Sequence, residues 1–275
     1  MKLKRSVFLF CSISIITTAA TMTTLRGQGQ DRLASDKQAQ AGNRQISAED
    51  YPIADYTVQE PAAALERSLR RARSGRHGIN DKSIKDLNNF ILREESNPVE
   101  ISQPPDHSSP EPAIPAAQSD IILIGEITGA SAYLSNDKTG VYSEFTTAVS
   151  EVLKNSALLP LSPGDSITAE RSGGRVRLPS GKVLLRGFSH KSMPRVGRQY
   201  VLFLKYNEQG QDFSIITGYE LRSGQVFPLD GVPKGDYKMP QFAAYEGADA
   251  AAFLSEVRTA IGGTSQSRPK GEQER

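Results

Sequence analysis

Asp120-Ile121-Ile122-Leu123-Ile124-Gly125-Glu126-Ile127-Thr128 is the stretch of this 275-residue chain that decides its fold. Isoleucine and leucine dominate it, and a short apolar run rich in β-branched residues is typical of a buried strand. Gly129 follows directly and marks a bend, after which residues 132–134 can continue the strand. The stretch therefore predicts the first strand of a β domain.

Further strands are predicted from this point to residue 229. Gly, Asn and Asp residues mark turns between short segments of alternating or apolar character, and no helical pattern lies between those segments. The predicted segments are residues 142–153, 167–169, 176–178, 183–185, 200–204, 213–217 and 224–227. This pattern predicts a mainly β fold, a small antiparallel OB-like barrel. A helical stripe of apolar residues predicts a C-terminal helix over residues 248–261.

The N-terminus has the order of a secretory signal peptide. Lys2, Lys4 and Arg5 precede an uncharged run over residues 7–20, which is shorter than the ~20 residues that a membrane-spanning helix needs. We therefore expect cleavage near residue 20 and export to the periplasm or the extracellular space; an uncleaved segment would tether the chain to the membrane. Cys11, the single cysteine, lies inside this run. A mature chain without a thiol has no disulfide and no cysteine nucleophile.

The remaining sequence divides by composition. Polar, Gly- and Gln-rich sequence is typical of a solvated tether, apolar spacing over two segments predicts a helical hairpin, and closely spaced prolines predict an extended spacer. The expected organisation is a signal peptide at 1–20, a disordered tether at 21–57, a helical hairpin at 58–96, a Pro-rich linker at 97–118, a β-barrel domain with its C-terminal helix at 119–262, and a disordered tail at 263–275.

Several motifs of the β domain carry a resemblance. They are Ser119-Asp120-Ile121-Ile122, Tyr142-Ser143-Glu144-Phe145-Thr146, Glu151-Val152-Leu153-Lys154-Asn155, Gly164-Asp165 and Val196-Gly197-Arg198-Gln199-Tyr200-Val201-Leu202-Phe203-Leu204. Residues 119–229 thereby resemble a group of bacterial secreted proteins of unknown function, whose domain is similar to the OB-fold barrels of netrin-like and tissue-inhibitor-of-metalloproteinase modules. The resemblance implies a fold and is silent on activity. Inhibition through a disulfide-bonded N-terminal cysteine is excluded, since the mature chain has no cysteine.

Two groups of basic residues are candidates for binding. Five lie around a Gly-Gly turn in the β domain and predict a ligand-contact surface: Arg171, Arg175, Arg177, Lys182 and Arg186. The other group lies in the first predicted helix: Arg67, Arg70, Arg71, Arg73 and Arg76. We interpret this second group as a solvated helix face, and contact with anionic lipid headgroups or an acidic partner is the alternative.

No catalytic, cofactor-binding or metal-ligating residue is predicted. His77 lies in a Gly-rich helix exit and His107 in the spacer, neither of them a rigid element; only His190 lies in the β domain. The net charge of +2 and the lack of aromatics among the arginines argue against a nucleic-acid partner.

The first hypothesis for function is an exported, non-enzymatic binding or adaptor module, whose partner is a protein or an anionic polymer of the cell envelope. The alternative is a secreted hydrolase that uses His190 and the carboxylates Glu126, Glu144 and Glu151. A hydrolase requires at least two of Glu126, Glu144 and His190 to converge in one concave pocket. A third, weaker hypothesis is a membrane-tethered factor, which requires that the N-terminal segment is not cleaved.

Overall fold

The computed structural model describes residues 51–57, 61, 63–78, 100–103, 112–188, 191–231 and 240–266. The predicted signal peptide, the second helix of the predicted hairpin, His107 and His190 lie outside the described residues. Within them, no helix is both long enough and apolar enough to cross a membrane.

β-strands are the predominant secondary structure of the described chain. The strands are β1 (Ile53–Asp55), β2 (Glu100–Gln103), β3 (Ile121–Leu134), β4 (Val141–Lys154), β5 (Ser166–Ser172), β6 (Gly174–Arg177), β7 (Val183–Phe188), β8 (Gln199–Asn207), β9 (Asp212–Arg222), β10 (Gln225–Pro228) and β11 (Ala248–Asp249). The helices are α1 (Ala64–Ser74), α2 (Pro240–Ala243) and α3 (Ala250–Gln266). The predictions of a mainly β fold whose sheets contain antiparallel strands and of a C-terminal helix are confirmed.

Five strands pair in a ring. The larger sheet has the order β11-β10-β9-β5-β4-β3-β8, and an additional pairing of β9 with β8 joins its two sides. All neighbours in the ring are antiparallel except β5 and β9, which are parallel and meet over two residue pairs, Ala169 with Phe213 and Glu170 with Ser214. This seam is short, and the finer expectation of an OB-like barrel stays a prediction.

The apolar run at the start of β3 is buried on both faces. Ile121, Leu123 and Ile127 pack inside the ring, whereas Ile122 and Ile124 pack in a second cluster on its outer side. That second cluster contains Phe253 and Val257 of α3. A strand that is covered on both faces loses the alternation of apolar and polar residues, which explains why this run is continuous.

Two short strands correct the predicted linkers. The expected tether over 21–57 ends too late, because β1 pairs in parallel with β6 and both Tyr51 and Ala54 are buried. The expected linker over 97–118 contains β2, which pairs in parallel with β7. Ala113 and Ala116 from the same segment lie in the outer apolar cluster. Composition did not predict these strands, because an edge strand needs only a few backbone N–H groups for pairing. A Pro-rich segment still supplies such groups between its prolines.

Candidate functional site

A cleft of about 610 Å³ lies between the β1 segment, α1 and the end of β3. This volume falls in the range of ~300–1,000 Å³ that is typical of small-ligand sites. Its described lining is strongly basic, with five cationic side chains and one carboxylate: Arg67, Arg70, Arg71, Lys138, Arg175 and Asp55. We refer to it as the basic cleft.

Aromatic rings hold two of these cationic side chains in place. The guanidinium of Arg70 lies 3.7 Å from the ring centroid of Tyr133, and Lys138 Nζ lies 4.6 Å from that of Tyr56. Burial lowers the pKa of Arg70, but hydrogen bonding and charge interaction with Tyr133 and the charge of Glu144 raise it overall, so this side chain stays charged. Cations that are held against aromatic faces lose less side-chain entropy when an anion binds.

The single carboxylate of the cleft is itself paired. Asp55 Oδ1 lies 3.3 Å from Arg177 Nη1, and Arg177 is not among the residues that line the cleft. Arg70 pairs with Glu66 at 3.0 Å, one helical turn away. Both pairs are partly exposed, so they offset the positive potential of the cleft only in part.

The arginines of α1 divide between two faces of the helix. Arg67, Arg70 and Arg71 line the cleft, together with Ser74. Arg73 is buried, and it points with Arg76 toward carboxylates of the sheet. The four cleft residues are three or four positions apart and share one helix face, whereas Arg73 lies beside that face and Arg76 in the turn after the helix. The interpretation of all five as a solvated face is therefore wrong for Arg73 and Arg76.

An ionic cluster holds the end of α1 against the sheet. Its members are Arg73, Arg76, His77, Glu144 of β4, Glu170 of β5 and Asp212 of β9, and we refer to it as the α1 ionic cluster. Arg76 Nη2 lies 2.6 Å from Asp212 Oδ2 and 3.0 Å from Glu170 Oε1. The side chains of Asp212 and Glu170 are 0% and 1% exposed. Buried carboxylates need such partners, because an unpaired buried charge is costly.

Arg73 and Ser74 add further contacts between α1 and the sheet. Arg73 Nε donates a hydrogen bond of 2.9 Å to the carbonyl of Gly210, and its Nη1 lies 3.4 Å from Glu144 Oε2. The hydroxyl groups of Ser74 and Tyr142 are 3.1 Å apart. Ser74 also lines the basic cleft, so the cluster and the cleft share α1 as a common wall.

His77 lies in the bend after α1, as predicted, but contacts with the sheet hold its ring within this cluster. Its Nε2 is 2.8 Å from Glu170 Oε2, and its Nδ1 is 2.8 Å from Ser172 Oγ. Its ring stacks on Tyr142 with centroids 4.5 Å apart. These residue types occur in Ser-His-acid hydrolases. Here Ser172 and Glu170 are two positions apart on one strand and hold the imidazole from both sides, so we interpret the contact as a docking contact.

Two carboxylates of the cluster have opposite pKa shifts. Burial raises the pKa of Asp212 to about 6, and the neighbouring negative charge of Glu170 acts in the same direction. Burial would also raise the pKa of Glu170, but hydrogen bonds and charge from His77, and the charge of Arg76, hold it below its ordinary value. Asp212 is therefore the carboxylate of this pair that takes up a proton first.

The predicted ligand-contact surface is divided between the interior and the exterior. Arg171 and Arg186 are 4% and 6% exposed. Arg171 binds Asp230 and the carbonyl of Ser192, and Arg186 donates to the carbonyl of Thr139. Burial lowers the pKa of Arg186 to about 10, although the charge of Asp137 opposes this.

The other three predicted residues lie in different places. Arg175 lines the basic cleft and donates 2.8 Å to the carbonyl of Tyr51, whereas Arg177 and Lys182 are exposed outside it. The structure thus does not bring the five together on one face. A contact of Arg175, Arg177 and Lys182 with a ligand stays a prediction.

The carboxylates of the hydrolase hypothesis do not converge. Glu126 is exposed and lies opposite Ala148 in the β3–β4 ladder, four residues along β4 from Glu144, or ~13 Å at the rise of a strand. Glu151 is exposed and pairs with Arg258 at 2.9 Å. Only Glu144 belongs to a cluster, and its charged partner there is an arginine. In the described part of the chain, no three His, Cys, Asp or Glu side chains are placed to hold a metal ion.

Comparisons with protein families and with curated sequences give no match. No protein-family model matches the chain, and no similar protein was found among curated sequences. The cleft and the cluster are therefore the features of this protein that bear on its function.

Replacing Gly140 with alanine is expected to weaken the contact between His77 and the sheet. An added Cβ would overlap the carbonyl oxygen of His77, and a backbone atom has little freedom to move away. We expect a loss of ~1–3 kcal/mol in the free energy of unfolding, measured by urea denaturation. Gly187→Ala is the control, because its nearest atom would be 4.0 Å away, on Tyr51. If Gly140→Ala and Gly187→Ala are equally stable, the carbonyl group of His77 does not lie against Gly140.

Proposed function

We propose that the protein is an exported, non-enzymatic binding module that holds an anionic ligand in the basic cleft. The observation that carries the proposal is the composition of the described lining of that cleft, five cationic side chains against one carboxylate that already has an arginine partner. Four of the five cations are arginines, whose planar guanidinium groups suit the paired oxygens of phosphate, sulfate and carboxylate.

The arrangement of the cations in the cleft favours a ligand with several anionic groups. Its cations come from separate elements, with Arg67, Arg70 and Arg71 on α1, Lys138 in the β3–β4 turn and Arg175 on β6. Ala130, Ala132 and Leu134 add apolar surface between them. An anionic polymer of the cell envelope combines spaced negative charges with a less polar backbone, and the predicted signal peptide at residues 1–20 supports a location where such polymers occur.

Binding to dextran sulfate tests the proposal, because its sulfates remain ionised at all working pH values. We expect the full chain to bind it with an affinity that falls as salt is added, and not to bind neutral dextran. Polyphosphate and polyglutamate, measured beside it, compare phosphate and carboxylate as the preferred anion. If the protein binds none of the three polyanions, the proposal is refuted.

Removing charge from the cleft is expected to reduce this affinity about tenfold or more. The variant Arg71→Gln/Lys138→Gln removes two cations, and each cation near an anionic surface contributes ~1 kcal/mol at physiological ionic strength. Isothermal titration calorimetry measures the change.

The matched control is Arg198→Gln/Lys205→Gln. It removes the same charge from exposed positions outside the cleft. If both double variants lose the same affinity, binding depends on the overall charge of the protein and not on the cleft.

A further inference from the structure

The second half of β3 has an edge without a strand partner. β4 continues along β3 to Leu134, whereas β8 pairs with β3 only as far as Glu126. In the part of the chain that the structure describes, no other strand pairs with β3. Residues 128–134 therefore have a neighbouring strand on one side alone, and we refer to their other side as the open edge of β3. An open edge is a template for a further strand.

The register of the β3–β4 pair decides which backbone groups face the open edge. The N–H of Ser135 donates to the carbonyl of Gly140, so Ser135 directs its backbone groups toward β4. Successive residues of an antiparallel strand alternate in this direction. The carbonyl of Val141, which lies opposite Leu134, accepts from the N–H of Gly173 on the side of β4 away from β3, as this alternation requires. The residues whose N–H and C=O groups face the open edge are then Ala130, Ala132 and Leu134.

The open edge forms part of the wall of the basic cleft. The three residues that face it all line the cleft. Consecutive side chains of a strand point to opposite faces. Here Tyr133 contacts Arg70 of α1, whereas Ala132 belongs to the apolar cluster that contains Ala54 of β1. The open edge of β3 therefore lies between α1 on one face and β1 on the other.

Both sides of the open edge carry positive charge. The α1 side has the three arginines of the helix that line the cleft. On the β1 side, Arg175 lies opposite Ile53 in the β1–β6 pair, and Lys138 Nζ lies 4.6 Å from the ring centroid of Tyr56, which directly follows β1. A strand at the open edge points successive side chains to alternate faces, so adjacent acidic residues of such a strand meet cations on both sides.

We infer that the ligand of the basic cleft is an acidic polypeptide segment in extended conformation, which adds as a strand to the open edge of β3. The inference rests on the proposed function and names the class of polymer that the cleft holds. Hydrogen bonds to the backbone of the edge set the register of the segment, and its carboxylates bind the cations on both sides. At a rise of ~3.4 Å per residue, the edge accommodates a segment of about seven residues.

A polypeptide matches this surface better than other polyanions of equal charge. Each residue that faces the open edge offers one N–H donor and one C=O acceptor, and a peptide backbone supplies the complementary groups at the same spacing. A sulfated polysaccharide or a polyphosphate supplies the negative charges but has no backbone amides for the ladder. Such a polymer is held by the cations alone.

Two isomers of polyglutamate test the inference, because they carry the same number of carboxylates on different backbones. α-Linked poly-L-glutamate has the repeat of a β-strand, whereas the longer repeat of γ-linked poly-L-glutamate does not fit the ladder. We expect the full chain to bind the α-linked polymer about tenfold more tightly or better, the factor that one or two backbone hydrogen bonds provide. Isothermal titration calorimetry with chains of equal length, at pH 7 and constant ionic strength, measures the ratio.

Hydrogen exchange, followed by NMR for each amide, locates the added strand. The amides of Ala130, Ala132 and Leu134 should gain protection when the α-linked polymer binds. Those of Ser131 and Tyr133 already face β4 and should change little. Dextran sulfate, added to the same saturation, should not protect the three amides of the open edge.

The variant Ala130→Pro tests the edge within the protein. The proline removes an N–H that faces the open edge and takes no hydrogen bond from the β3–β4 pair, so the strand tolerates it there. We expect the variant to keep its affinity for dextran sulfate and to lose its preference for α-linked polyglutamate. Unchanged binding of dextran sulfate shows that the fold and the charges of the cleft are intact. If the variant does not fold, the ratio of the two isomers on the wild type decides.

The possible results separate the inference from the proposed function. Equal affinity for the two isomers, or no gain of protection at the open edge, would overturn the inference and leave a cleft that binds polyanions by charge. Binding of dextran sulfate or polyphosphate without binding of polyglutamate would overturn it as well, in favour of a polymer that is not a peptide. If no polyanion binds, the proposed function fails and the inference fails with it.

Discussion

Replacing Glu170 with alanine is expected to destabilise the folded protein by about 3–5 kcal/mol. The side chain is 1% exposed, and it accepts hydrogen bonds from Arg76 and Ser214 as well as contacting His77. Its loss removes one of the two buried carboxylates that Arg76 contacts and the carboxylate that His77 Nε2 contacts, and it also opens a cavity beneath α1. Chemical denaturation at pH 7 measures the free energy of unfolding.

The matched control is Glu151→Ala. Glu151 also forms an ion pair, at 2.9 Å from Arg258, but both side chains are about half exposed. Exposed pairs contribute ~0.2–1 kcal/mol, so this variant should remain close to the wild type. Similar losses for the two variants would mean that Glu170 is hydrated and that the cluster does not hold α1.

Replacing Phe253 with alanine is expected to cost about 3–5 kcal/mol and to loosen α3 from the sheet. Phe253 is 1% exposed, and its ring centroid lies 4.5 Å from that of Tyr219 and 5.2 Å from that of Tyr245. Tyr219 in turn donates a 2.6 Å hydrogen bond to the carbonyl of Ala113, so the same aromatic group ties the segment before β3 to the sheet. Denaturation with tyrosine fluorescence as the probe measures the loss.

Leu158→Ala is the control for the loss of a large apolar side chain, since Leu158 is 90% exposed and its truncation should change stability by less than ~0.5 kcal/mol. A small effect at Phe253 would show that α3 contributes little to the core. In that case the outer apolar cluster would depend mainly on Val201, Phe203 and Tyr219 of the sheet.

Charge alone misled the sequence analysis about the arginines. Arg67, Arg70, Arg71, Arg73 and Arg76 look alike as a run, and a run of this kind is usually solvated. Helical spacing separates them only weakly, because Arg70 and Arg73 are also three positions apart and Arg76 lies beyond the end of α1. That signal becomes informative only once the sheet is known to place Glu144, Glu170 and Asp212 opposite that face.

The prediction that the basic residues of the β domain form one surface was wrong for a related reason. Arg171 and Arg186 lie on strands whose inward or outward direction depends on the twist and pairing of two sheets. A buried arginine requires a specific partner, and the partner of Arg171 is Asp230, far along the chain and beyond several strands. Such pairs have no periodic pattern that a reader of the sequence can recognise.

The sequence by itself determined the mainly β fold, the order of its principal strands and the C-terminal helix, because side-chain period, β-branched residues and turn-forming glycines act locally. Only the tertiary structure decided where the arginines of α1 point and what His77 contacts. Arg76 reaches Asp212 across 136 positions and His77 reaches Glu170 across 93. Burial and charge pairing over such separations arise when the ring of strands and α1 come together, so the basic cleft and the α1 ionic cluster exist only in the folded chain.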